Sequence, residues 1–176
     1  MDTGRDFLRA QLNNAIAQHH ALLGSLRDHA GQADDPMYRQ LCEKHIPALE
    51  HHQAMLEAYG TSVGSDGGSG LKNVLGSALG KARDAVDAMR GTDFLRVVGD
   101  IVMIRQAQDT FGVFAAAGVR LGDARLAELG TMGEKEHDTM QRDFNAFCVE
   151  SFVQHVQGTV ATASGDRNAS SAASHA

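Results

Sequence analysis

Nine histidines in a chain of 176 residues are the first chemical signal, because an imidazole is a metal ligand, a proton carrier or a core hydrogen-bonding group. The ligand-type residues that fall on predicted apolar helix faces are His19, His45, His52, Glu134 and His137. His19 lies one turn from Ala15 and from Leu22 and Leu23. His45 and His52 share the Leu41/Ala48/Met55 face. Glu134 and His137 form a Glu-x-x-His pair in line with Gly133, Met140 and Phe144. In helical bundles, metal sites are built from such residues projecting inward from facing helices. A single histidine on an apolar face is more often a core group bonded to a neighbour. Convergence from three helices, one with i, i+3 spacing, is what points to a metal. Imidazole-rich sites suit iron, zinc or copper, whereas a bridged di-iron pair needs several carboxylates, in which these faces are poor. The expected cofactor is a metal ion, iron or else zinc.

The other candidates read differently. Gln108, between Arg105 and Phe111, is the nearest that the third helix comes to a ligand, with Asp109 beside it. His20, Glu50 and His51 are turned away by about 100° or 200° and should be solvated or at a contact. His29, His155 and His175, near helix ends or in the tail, read as bland. Cys42 and Cys148 form no C-x-x-C motif and fit buried, reduced thiols.

Four helices must position these residues. Leu8, Leu12, Ala15, Ile16, His19, Leu22, Leu23 and Leu26 recur at helical steps and predict a helix over Asp6–His29. Asp35 and Pro36 make a strong start for a second helix, running to Tyr59, in which Pro47 should cause a kink. A Gly/Ser-rich stretch from Gly60 to Gly70 is a linker by composition. It leads to a short amphipathic helix, Leu71–Met89, whose Gly76-x-x-x-Gly80 spacing is too common to carry weight. A third helix is expected over Asp93–Val119. Leu121-Gly122-Asp123 turns into a fourth that ends near Val156. Residues 1–157 are therefore read as one all-α four-helix bundle with a long crossover containing a short extra helix, and residues 158–176 as a disordered tail. That long connection makes helices two and three parallel.

Composition narrows the classes. Aromatics are 5% and helix formers dominate, so strands are not expected. The net charge is −6 with the signs interspersed, and no basic stripe tracks a phosphate backbone, which disfavours nucleic acid. No apolar run approaches the length of a membrane span. Met1–Asp6 carries acids and no apolar run, so no secretory signal is expected and a cytoplasmic location is.

Over residues 6–150 the chain resembles the ferritin-like superfamily, and within it the stress-associated YciE/YciF-type bacterial proteins. The likeness rests on HIPALEHHQAMLE (His45–Glu57), on DIVMIRQAQ from Asp100 to Gln108, on the Leu121-Gly122 turn, and on EKEHD (Glu134–Asp138), which stands where that branch carries paired acids. The resemblance carries over His52, Glu134, His45 and His137. It places His19 where the family has an acid, Ala48 at the second-helix acid, and apolar positions near Phe111 at a Glu-His pair. It implies a ferritin-like bundle without an intact di-iron site.

The expected function is a stress-related ferritin-like metal-binding protein, with a histidine-rich site among His19, His45, His52, Glu134 and His137 and a homodimeric assembly. Any catalysis is left undecided, since no nucleophile or phosphate loop is visible. The alternative is a bundle of another class, an interaction or scaffolding module that holds no metal. A hemerythrin-like carrier is disfavoured because His-x-x-x-His and His-x-x-x-Glu pairs are missing from the core faces.

Overall fold

The computed structural model describes residues 3–65 and 92–172, with side chains over 4–65 and 92–157. These residues form four helices and no strand: α1 (Thr3–Gln32), α2 (Pro36–Ser62), α3 (Asp93–Leu121) and α4 (Ala124–Ala172). The expected crossover helix Leu71–Met89 lies outside the described residues.

The start of α2, the end of α3 and the start of α4 each have a local cause. Asp35 caps α2 by accepting from the Met37 amide at 2.8 Å, and Pro36 gives up no hydrogen bond at the first helical position. Gly122 ends α3 at φ 67°, a left-handed conformation that suits glycine, and the next amide, Asp123 N, returns to the Gly118 carbonyl at 2.9 Å. Asp123 then caps α4 by accepting from Leu126 N at 3.0 Å. Pro47 leaves α2 unbroken, because it sits on the exposed face where the carbonyl it frees can bind water. The backbone of α4 stays helical to Ala172, past the Val156 end expected from the sequence.

Side-chain contacts fix the order of the bundle. His19 meets Gln53 while Arg27 meets Glu50, so α1 and α2 run antiparallel. His19 meets Phe111 while His29 meets Asp100, so α1 and α3 are antiparallel too. Consequently α2 and α3 are parallel, as the sequence predicts, and Asp35 N donating to Asp93 Oδ2 at 2.7 Å puts their starts at one end. Ser65 and Thr92 therefore stand at opposite ends of the bundle, about 40 Å apart along α2. Helices α1 and α2 pair, α3 and α4 pair, and α1–α3 and α2–α4 complete the square.

The core divides into two apolar clusters. One holds Leu12, Ile16, Leu56, Phe111, Phe114, Leu126 and Leu129, and the other Leu22, Leu26, Leu49, Val97, Ile104, Met140 and Phe144. On every helix except α3 a buried histidine stands at the seam between them: His19, His52 and His137. The α3–α4 pair is the closest approach, since a Cβ on Gly130 would lie 2.1 Å from Ala115 N. Gly130→Ala should therefore destabilise the fold by about 1–3 kcal/mol through overpacking. Gly24→Ala, in a helix interior with nothing within 4 Å of the added carbon, should stabilise it by about 0.5–1 kcal/mol. Urea unfolding of the two variants reads both signs.

Candidate metal centre

The seam brings three imidazoles together. Ring centroids of His19 and His137 are 5.4 Å apart, His52 and His137 5.3 Å, and His19 and His52 6.1 Å. One nitrogen of each lies within 4.8 Å of the others, and among the described residues this is the one group of three or more ligand-type side chains so close. All three are almost wholly buried.

Partners outside the triad fix which nitrogen faces in. The Gln53 amide donates to Glu57 Oε1 at 2.7 Å, so its oxygen is the free end, and it accepts from His19 Nδ1 at 3.0 Å. The proton of His19 is thus on Nδ1 and its Nε2 carries a lone pair. His137 Nδ1 donates to the Gly133 carbonyl at 2.8 Å, which leaves its Nε2 in the same state. Among the described residues neither Nε2 has a hydrogen-bond partner, nor does either nitrogen of His52. Orienting a ligand histidine through its second ring nitrogen is how metal sites fix ring position and tautomer.

Apolar walls complete the chamber. The Phe111 ring lies 5.0 Å from His137, 5.6 Å from His52 and 5.8 Å from His19, centroid to centroid. It fits only because residue 133 is glycine: a Cβ there would fall 2.3 Å from the ring. Beside His19, a cavity of about 10 Å³ lined by Gln18, Thr110 and Phe111 has room for about one water molecule.

Burial sets the charge of the site. Loss of hydration pushes the His19 imidazole down to about 4, against the hydrogen bond that it donates to Gln53, and the neighbouring imidazoles add to the shift. The same loss pushes His137 down to about 3, and His52 is also lowered, with Glu136 opposing. All three are neutral at pH 7, the protonation state that a metal requires.

Two of the five expected ligands stand elsewhere. His45 is buried, but its Nε2 lies 2.9 Å from Asp143 Oδ2, which also binds Lys44. Seven residues keep a side chain on one face yet move it about 10 Å along the axis, so His45 belongs to another layer than His52. Glu134 is exposed and lies against Gly112 of α3. It precedes His137 by three residues, about 60° round the helix, which is enough to leave the core. Gln108 reaches Asp138 at 3.4 Å and Asp109 pairs with Arg105, so α3 contributes Phe111 and no ligand. His20 and His51 are exposed as expected.

His29 departs from its bland reading. It is buried, and with Tyr38 and Ser25 it surrounds the fully buried Asp100: Tyr38 donates to Oδ2 at 2.6 Å, His29 Nδ1 lies 2.9 Å from Oδ2, and Ser25 donates to Oδ1 at 2.9 Å. Burial and the Asp100 charge push the Tyr38 phenol well above its usual range. The sequence signal for this network is an acid on the Val97/Ile104/Phe111 face.

No family model, no curated protein and no solved structure matches the chain.

Because His19 and His137 resist protonation when folded but not when unfolded, the unfolded chain binds more protons between pH 6.5 and about 4. Stability of the metal-free protein should fall as pH drops through that window. His137→Leu should remove about one proton from the slope, about 1.4 kcal/mol per pH unit. Urea midpoints of parent and variant from pH 7 to pH 4 measure the difference.

Proposed function

We propose that the protein is a ferritin-like bundle that binds one transition-metal ion, iron or zinc, through the imidazoles of His19, His52 and His137. The observation that carries this reading is the pair of buried Nε2 lone pairs on His19 and His137, without donors and held in their tautomers by Gln53 and Gly133. An unpaired buried polar group costs about 1–3 kcal/mol, and a cation answers several of them at once. Neutral nitrogen donors in this number suit iron or zinc.

Each residue has a defined task. His19, His52 and His137 supply the donors, Gln53 and Gly133 aim two of them, and Phe111 excludes water. Three imidazoles leave the fourth position of a four-coordinate ion to a further ligand. A cytoplasmic setting belongs to the same reading, and the free thiols of Cys42 and Cys148 fit it.

Metal analysis after loading with iron or zinc tests the proposal. The parent should retain about one ion per chain through gel filtration, and the His52→Ala/His137→Ala variant none. A folded parent that retains no metal is instead the interaction module of the alternative reading.

A further inference from the structure

We infer that Glu136 is the fourth protein ligand and the entry point of this centre, making it a mononuclear site of three imidazoles and one carboxylate. The inference rests on the metal reading above. Glu136 Oε2 lies 3.3 Å from His52 Nε2, in a pair that joins α4 to α2. The imidazole is completely buried while the Glu136 side chain is 43% exposed, so this carboxylate spans from solvent to the triad. Among the described residues no other carboxylate comes within 4 Å of a nitrogen of the triad.

The neighbouring acids are committed elsewhere. Glu57 holds Gln53, Asp138 holds Arg142, and Asp143 holds Lys44 and His45. Glu136 has no Lys or Arg partner among the described residues. Its one close group is the buried ring, and that contact lacks hydrogen-bond geometry, since His52 Nε2 counts as unpartnered.

Charge explains why a carboxylate is needed. Three neutral imidazoles bring no negative charge, and a divalent cation left uncompensated in an apolar chamber pays a large desolvation cost. A half-exposed carboxylate meets the hydrated ion at the surface, replaces part of its water shell and follows it inward by side-chain rotation. It then remains as an oxygen ligand of the kind that completes nitrogen-rich zinc sites. The site takes divalent ions of the zinc and cobalt type and excludes calcium and magnesium, which require mostly oxygen ligands.

Cobalt(II), whose visible bands report coordination, tests the inference in stopped-flow mixing with the full chain. Parent, Glu136→Gln, Glu136→Asp and Glu134→Gln are compared, the last removing a nearby exposed acid. Glu136→Gln should slow cobalt uptake at least tenfold, abolish the dependence of the rate on salt, and shift the bands of the bound ion. Glu136→Asp should recover part of the rate, and Glu134→Gln should match the parent. A parent that binds no cobalt overturns the metal reading and this inference together. A parent that binds it, with Glu136→Gln indistinguishable in rate and spectrum, overturns the role of Glu136 alone and leaves the three-histidine site standing.

Discussion

Three neutral imidazoles, buried between two apolar clusters and lacking hydrogen-bond partners for their inward nitrogens, are the constraint around which the rest of this bundle is arranged. A domain is stable by only about 5–15 kcal/mol, and unpaired buried groups at about 1–3 kcal/mol each consume a large share of that. The surrounding sequence does not relieve the deficit. Instead Gln53 and Gly133 take the outward nitrogens of two rings and so keep the inward ones bare. Glycine at position 133 admits Phe111, which closes the chamber with carbon.

The second buried polar layer shows what relief looks like. Asp100 also sits among apolar side chains, yet Ser25, His29 and Tyr38 satisfy both of its oxygens and tie α1, α2 and α3 together. One layer is closed and holds helices in register. The other is open towards its own centre. Asp100 has both oxygens bonded, whereas the inward nitrogens of the triad have no partner among the described residues.

The elements were largely legible in the sequence because their signals are local. Asp35-Pro36 and Gly122-Asp123 start and stop helices where capping chemistry dictates, and the long link after α2 dictates parallel α2 and α3. Helical periodicity also put His19, His52 and His137 on inward faces. It could not separate them from His45, because periodicity reports the angle around a helix and not the height at which neighbouring helices align. Glu134 failed for the complementary reason, a 60° offset that only the position of α3 turns into exposure. Gln53, Glu136 and the Asp100 partners carry no signal in one chain read alone, since their roles come from which helix stands opposite.

Cadmium-113 NMR on protein labelled with nitrogen-15 in its imidazoles tests the central claim most directly, because scalar coupling runs only through metal–ligand bonds. One bound cadmium resonance coupled to nitrogens of His19, His52 and His137, with the Nε2 atoms of His19 and His137 as donors, is the predicted result. No bound cadmium, or coupling to His45, His20 or His51 in their place, would contradict it.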